Sequence, residues 1–343
     1  MTPPDISQEL ASAVGARAGT ISLIGYSQNW VYAFTHFDGT ERILRLTADT
    51  HRSHEEIEDE LDWVRFLSEQ SVGVCGPIEH RDGEWMRSVR GADGVYHAVV
   101  FEKAAGRPLE EGDLGDPLYF EHGRQLGLLH ALGKRKKEAL PHGLLSRRKS
   151  WEAERYFTRD IGDHLPVEMQ DAVRRHFLTL QGEVAAWSLL PATFGPVHFD
   201  LGYSNFFVDD GRLQVFDFDN CVNGPLVGDL AAALYGSIFT RLRRGSAGDR
   251  SAFESPKSGQ NLQRVYGPFR EGYRSANGWV EDWEEQLPVW FEVMFMRAVM
   301  HAIRLHDAGG DSRVRAALEE DLKMMLARTP PWSFDFREGR ALD

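Results

Sequence analysis

The sequence predicts an α+β chain of two lobes. A small lobe over 1–103 carries five strands and one helix, and a larger, mainly helical lobe fills 104–343. Between residues 20 and 103, short β-branched and aromatic runs alternate with Asp-Gly turn signals. Beyond that point apolar residues recur at helical spacing. One short hairpin interrupts the helical half, with acids at both of its ends. A chain of 343 residues is long enough to bury two separate cores. It contains no internal repeat and no low-complexity tract.

Residues 20–23 and 30–37 read as the first strands. Asp38-Gly39 is the turn into a third strand over 41–47. A helix follows over 54–70, with Ile57, Leu61, Val64 and Leu67 on one face. Strands over 83–89 and 95–101 are marked by Asp82-Gly83 and Asp93-Gly94. Residues 102–106 connect the lobes. Helices are predicted over 117–132, 150–157, 167–188, 226–239, 261–274 and 287–307. Residues 241–260 are rich in Arg, Ser and Gly without apolar period, and read as a surface loop.

Composition narrows the function classes. The net charge of −13 disfavours nucleic acid, whose phosphates need basic surface, and favours a cationic ligand. Acidity is also a common solubility device. No apolar run reaches the roughly twenty residues of a membrane span. The first residues lack a basic region followed by an apolar one. Cys75 and Cys221 give neither a disulfide framework nor a metal spacing. The expectation is a cytoplasmic protein with no membrane partner.

The chemistry is concentrated in His198-Phe199-Asp200-Leu201-Gly202-Tyr203-Ser204-Asn205, followed twelve residues later by Asp217-Phe218-Asp219. A lone match to this spacing arises by chance. Here the loop runs into the apolar strand Phe206-Phe207-Val208. Asp209-Asp210-Gly211 turns the chain, and the returning strand ends on Asp217. A hairpin of this kind can bring three oxygen donors together. Phosphoryl transfer from a nucleotide needs hard oxygen ligands for Mg²⁺, and a separate carboxylate to take the attacking hydroxyl's proton. Asp200 fits the base, and Asn205 and Asp217 fit the metal ligands.

The run "VHFDLGYSNFFVDDGRLQVFDFDNCVNGPLVGDLAAALYG" resembles the core of the aminoglycoside phosphotransferase and choline kinase family. These are small-molecule kinases of the protein-kinase-like fold. The resemblance implies ATP and Mg²⁺ as cofactors, Asp200 as catalytic base, and Asn205 and Asp217 on the metal. It implies that His198 orients the loop and that Asp229 is a buried acid bracing it. Phe199 stands where the family usually has Gly. Asp219 is a further acid of the site or an exposed turn residue.

In the small lobe, Ser27 and Asn29 in Gly25-Tyr26-Ser27-Gln28-Asn29 are candidates for the phosphates, although the segment also reads as an ordinary hairpin turn. Arg45 stands where a strand Lys is expected, and Glu60 on the following helix is its best partner, with Glu56 and Glu58 as rivals. The backbone of Glu102, Lys103 and Ala104 is the candidate adenine contact, beside the apolar wall of Val100 and Phe101. His130 reads as a helix-packing histidine. Glu281, Trp283 and Glu284, in an acidic aromatic segment over 279–285, could receive an amine by charge and cation–π contact. The same segment also reads as an amphipathic helix start.

The expected reaction is transfer of the ATP γ-phosphoryl group to a hydroxyl of a small molecule, an amine-bearing alcohol or an aminoglycoside. A Ser/Thr protein kinase and a nucleotide-binding pseudokinase are the alternatives. Gly224-Pro225-Leu226 follows Asp217 almost at once, leaving no long activation segment for a peptide.

Overall fold

The computed structural model describes residues 7–91, 94–138, 144–149, 151, 165–187, 190–243, 258–307, 312–328 and 332–342. The turn at Asp93, the helix expected over 150–157 apart from Trp151, and residues 244–257 of the expected loop lie outside the described residues. The strands are β1 (Ser22–Tyr26), β2 (Trp30–Thr35), β3 (Glu41–Ala48), β4 (Pro77–Ile78), β5 (Arg87–Gly91), β6 (Gly94–Glu102), β7 (Arg107–Pro108), β8 (Phe194–Val197), β9 (Phe206–Asp209), β10 (Arg212–Val215), β11 (Val222–Pro225), β12 (Phe334–Asp335) and β13 (Arg340–Ala341). The helices are α1 (Gln8–Ala13), α2 (His54–Glu69), α3 (Asp116–Glu138), α4 (Val167–Ala186), α5 (Leu226–Arg243), α6 (Ser258–Ala276), α7 (Trp283–Asp307) and α8 (Ser312–Leu326). None of the described helices is long and apolar enough to cross a membrane.

The chain forms two compact units. The first comprises Met1–Pro108, Leu144–Arg148 and Phe207–Asp219, and the second comprises Leu109–Gly143, Lys149–Phe206 and Asn220–Asp343.

In the first unit an antiparallel sheet runs β1-β2-β3-β6-β4, with β5 also paired to β6. Period-two alternation buries Trp30, Tyr32 and Phe34 of β2 on one face, against Leu44, Leu46, Tyr96, Ala98 and Val100. On the other face Ile57 and Leu61 of α2 pack with Met86 and Val99. Since Leu44 and Leu46 take the first face of β3, Arg45 and Thr47 turn to the opposite one. α2 begins at a capping box, in which Ser53 Oγ accepts from the Glu56 amide and the Glu56 carboxylate accepts from the Ser53 amide. Some small elements exceed expectation, β4 and α1 among them. β4 has two residues, too few to show a period, and α1 has six, held by Ser7 as its N-cap.

β7 joins β9 and β10 in a second, three-stranded sheet. Gly106, at φ 77°, precedes it, and a Cβ there would meet the Val208 carbonyl oxygen at 2.1 Å. Only glycine fits this approach.

In the second unit α3 lies against α6 at glycine contacts. A Cβ on Gly123 would fall 1.9 Å from the Phe269 carbonyl oxygen, and one on Gly272 would fall 1.9 Å from that of Phe120. Tyr266, Phe269, Tyr273, Trp283, Trp290 and Phe291 are buried in the core of this unit. β8 and β11 pair antiparallel, Val197 opposite Val222, and the chain leaves β8 directly into His198. α8, beyond the last helix expected, completes the described helices.

Candidate active site

In the second unit the loop after β8 is fastened by its backbone. Asp229, fully buried at the start of α5, accepts the His198 amide on Oδ2 and the Phe199 amide on Oδ1, both at 2.7 Å. Asp229 Oδ2 also accepts from His130 Nε2 at 3.0 Å. Burial alone would raise this carboxyl's pKa, but the hydrogen bonds from the His130 ring and the His198 amide hold it below its ordinary value. The other ring nitrogen of His130 faces the Tyr273 hydroxyl at 2.9 Å, and Asn277 Nδ2 donates to that hydroxyl at 2.8 Å. Burial raises the Tyr273 pKa, so the phenol stays protonated and donates to His130 Nδ1.

Two further contacts fix the loop. His122 Nε2 donates to the Leu201 carbonyl at 2.9 Å, and Arg297 Nη1 donates to the Phe199 carbonyl at 2.9 Å. Burial lowers the His122 pKa to about 4, so the imidazole is neutral near pH 7. Gly236 of α5 sits so close that a Cβ would meet Gly202 Cα at 2.7 Å. Phe199 adopts φ 63°, the left-handed conformation that the glycine usual at this position would take freely.

Asp200 is exposed on this fastened loop, and its carboxylate accepts from Asn220 Nδ2 at 3.1 Å. Asn205 Nδ2 donates to the Asp200 carbonyl at 2.7 Å. That bond commits the amide nitrogen, and the side-chain oxygen is the Asn205 atom whose chemistry suits a hard cation.

In the first unit Arg45 forks onto Glu60, Nη1 to Oε1 at 2.7 Å and Nη2 to Oε2 at 2.9 Å. Both side chains are buried. Burial alone would lower the Arg45 pKa, but the charge of Glu60, with those of Asp219 and Asp217, holds it above its ordinary value. Arg148 Nη2 also donates to Glu60 Oε2 at 2.8 Å, and its Nη1 donates to the Asp219 carbonyl at 2.7 Å. Asp217 is exposed at the exit of β10, at φ 65°. Phe218 beside it packs edge-on against Trp63 of α2, ring centroids 5.4 Å apart.

The structure revises several expectations. Asp219 is not an exposed turn residue. It is buried, its carboxylate lies 2.7 Å from His51 Nε2 and 3.8 Å from Arg52 Nε, and these commitments leave it ill-suited to contact a substrate. Burial alone would raise its pKa, but the charge of His51, with those of Arg52 and Arg45, keeps it well below the usual carboxylate value. His198 is fully buried, which suits it to position the loop and not to touch a substrate.

The acidic aromatic segment folds as the start of a packed helix. Trp283 is buried against Tyr273 and Trp279, Glu284 accepts from Trp279 Nε1 at 3.0 Å and pairs with Arg270, and Glu285 pairs with Arg337. Glu281 remains exposed. Ser27 is exposed, whereas Asn29 is buried and its Oδ1 has no hydrogen-bond partner among the described residues. The Glu102 amide already donates to the Gly76 carbonyl at 2.9 Å, which removes it as an adenine donor. Lys103 turns its side chain to Glu41 at 2.5 Å, and Ala104 follows the end of β6.

Sequence reading missed His51, Arg52, His122, Arg148, Asn220 and Arg297. Each acts across a long sequence separation, where no local period reports it.

Asn205 and Asp217 fit a hard cation such as Mg²⁺, because both offer oxygen. Among the described residues no group of three His, Cys, Asp or Glu side chains forms a metal cage. Each side chain taken by itself offers the kind of oxygen that suits a metal completed by nucleotide phosphates and water.

A profile of the phosphotransferase enzyme family matches residues 23–284. An amicoumacin kinase of Bacillus subtilis (strain 168) is 28% identical over 232 residues, which are 67% of this chain and 67% of that protein. A solved structure of the amicoumacin kinase hAmiN, in complex with AMP-PNP, Ca²⁺ and Ami, superposes with a TM-score of 0.83 at 24% identity, covering 96% of this chain and 95% of that one. A microcompartment-associated aminopropanol kinase gives a TM-score of 0.69 at 22% identity, covering 94% and 97%. The shared fold is the two-lobed protein-kinase-like one.

Proposed function

Since the chain belongs to the phosphotransferase enzyme family and is a small-molecule kinase, we propose that it phosphorylates a hydroxyl of an amine-bearing small molecule with Mg-ATP. The observation that carries the mechanism is Asp200, an exposed carboxylate on a loop whose backbone is fastened on both sides of it. Asp200 receives the acceptor hydroxyl and takes its proton as the acceptor oxygen bonds to the γ-phosphorus, the bond from that phosphorus to the β–γ bridging oxygen breaks, and ADP leaves. The Asn220 amide fixes the orientation of that carboxylate. Asn205 and Asp217 would each offer an oxygen to Mg²⁺, and the metal would supply positive charge to neutralise the phosphates. Arg45, kept in place by Glu60, meets the nucleotide phosphates. Rigid positioning and electrostatics supply most of the rate.

The amine in the acceptor is supported by the chemistry of relatives. One structure of this fold is an aminopropanol kinase, and another is a spectinomycin phosphotransferase, in complex with ADP and spectinomycin, with a TM-score of 0.56. The test is ADP release across amino alcohols, aminoglycosides, amicoumacin, neutral sugars and Ser/Thr peptides. Turnover confined to amine-bearing alcohols supports the reading. Turnover of peptides alone makes the chain a protein kinase, and nucleotide binding without any turnover makes it a pseudokinase.

A further inference from the structure

Glu60 is fully buried, and its hydrogen bonds join three separate stretches of the first unit. Arg45 reaches it from β3, and Arg148 reaches it from the 144–148 segment. Arg148 is itself buried and spends its other terminal nitrogen on the Asp219 carbonyl. The Asp219 carboxylate then accepts from His51 Nε2, and Arg52 Nε lies 3.8 Å from its other oxygen. His51 and Arg52 sit between the end of β3 and the start of α2. Arg52 also lies 3.8 Å from Glu56 of α2. The segment Asp217–Asp219 is thus tied to α2 and to the β3–α2 turn by both its backbone and its last side chain.

Charge balance explains why the network is closed. Arg45, Arg52 and Arg148 face Glu56, Glu60 and Asp219, three buried cations against three buried anions. Buried charges persist only when paired, and removal of one strands its partner. Backbone strain gives the closure a purpose. Asp217 sits at φ 65°, costly for a side chain other than glycine, and such a conformation survives only where its surroundings over-determine it. Two residues later the chain is held at the carbonyl and at the carboxylate of Asp219.

We propose that Asp219, gripped by Arg148 and His51, is a positioning residue that sets Asp217 in register with the Arg45–Glu60 pair, so that one buried network holds the phosphate-binding arginine and the metal-binding acid together. The inference rests on the assignment of Asp217 and Arg45 under the proposed function. It gives the second acid of Asp217-Phe218-Asp219 a task other than ligation, because its carboxylate is already engaged with His51 and Arg52.

The test compares Asp219→Asn, His51→Gln, Arg148→Lys and the double variant His51→Gln/Asp219→Asn with wild type. Binding of ATP is titrated calorimetrically against Mg²⁺, and KM is measured for Mg-ATP and for the acceptor. Each single variant is expected to raise both the Mg²⁺ concentration for half-maximal tightening and the KM for Mg-ATP by roughly 10-fold, within the range of couplings inside one network. The acceptor KM stays near wild type. The double variant loses no more than the worse single one, because both substitutions cut the same tie.

Asp217→Ala and Arg45→Ala are the controls on the premise. If they abolish the Mg²⁺ gain and weaken nucleotide binding while the network variants leave both unchanged, the inference is overturned and the proposed function stands. If the controls themselves change nothing, the proposed function falls and takes the inference with it. His51 is partly exposed, so His51→Gln keeps the test decisive even if Asp219→Asn does not fold. Lowered melting temperature with unaltered Mg²⁺ and nucleotide dependence assigns the network a structural role only, and overturns the proposal.

Discussion

Asp200 is exposed although Phe199 and Leu201 on either side of it are buried. A carboxylate presented this way is open to an incoming hydroxyl, while its backbone cannot drift. Asp200→Asn keeps the shape and removes the proton acceptor, and is expected to lower kcat by roughly 10²–10⁴-fold with nucleotide affinity unchanged. Single-turnover kinetics and a binding titration separate the two, and full turnover in Asp200→Asn removes Asp200 as the base. Phe199 poses a different question. Its left-handed backbone costs about 1–2 kcal/mol, and Phe199→Gly would relieve that. The same change deletes a buried ring packed edge-on against Trp290 and under the Arg297 guanidinium, a loss of about 3–5 kcal/mol for a buried aromatic. Packing wins, so Phe199→Gly is expected to be destabilised by about 2 kcal/mol. Urea denaturation measures this, and a stabilised variant would show that strain governs the position.

At the scale of elements, α3 supports the loop after β8 through two histidines placed eight residues apart, and therefore on one helix face. His130 bonds Asp229 and His122 bonds the Leu201 carbonyl. His122 gives a pH signature. Its pKa falls from 6.5 in the unfolded chain to about 4 in the fold. Between these values the unfolded chain takes up a proton that the native state refuses, so stability falls as pH falls through that window. The loss is about 3 kcal/mol and is complete below the folded value. Above pH 6.5 the residue contributes no slope. His122→Gln is expected to flatten the stability difference between pH 7 and pH 4.5 by about 2 kcal/mol, since the loss is not yet complete at pH 4.5, read by urea denaturation at the two pH values. An unchanged difference would show that His122 titrates freely.

The same elements show what a sequence discloses. Alternation along β3 and the helical period of α2 were legible, and with them the pairing of Arg45 with Glu60. The hairpin that carries Asp217 was also legible, because strand and turn are local, whereas Asp229 followed from the family resemblance alone. His122 was not, since an α3 histidine facing a carbonyl 79 residues away looks like any core histidine. Arg148 stood in a short basic stretch with no period, and the buried fate of Asp219 depended on His51 and Arg52, 168 and 167 positions earlier. For 279–285 the helix start was legible, but composition reports that acids are present without reporting that Arg270 and Arg337 already answer two of them.

For the molecule as a whole, the net charge of −13 is the remaining handle on the acceptor. Two of the acids at the start of α7 are engaged internally and Trp283 is buried, so an amine gains little from that segment. Any attraction for a cation must come from many dispersed carboxylates, and such a field behaves differently from a contact pair. Removing one charge hardly alters it, whereas salt screens all of it over a Debye length of about 8 Å at physiological ionic strength. Glu281→Gln, Glu284→Gln and Glu285→Gln should therefore each leave the acceptor KM within about threefold, the scale of one exposed ion pair. Raising ionic strength should increase the KM of a cationic acceptor. Mg-ATP keeps a net negative charge and feels the same field with opposite sign, so its KM should fall over the same range. Initial rates at several salt concentrations, with each substrate varied in turn, give both slopes in one experiment. Slopes of the same sign for both substrates would mean that local contacts outweigh the net charge, and an acceptor KM sensitive to a single one of the three glutamates would return the amine site to the start of α7.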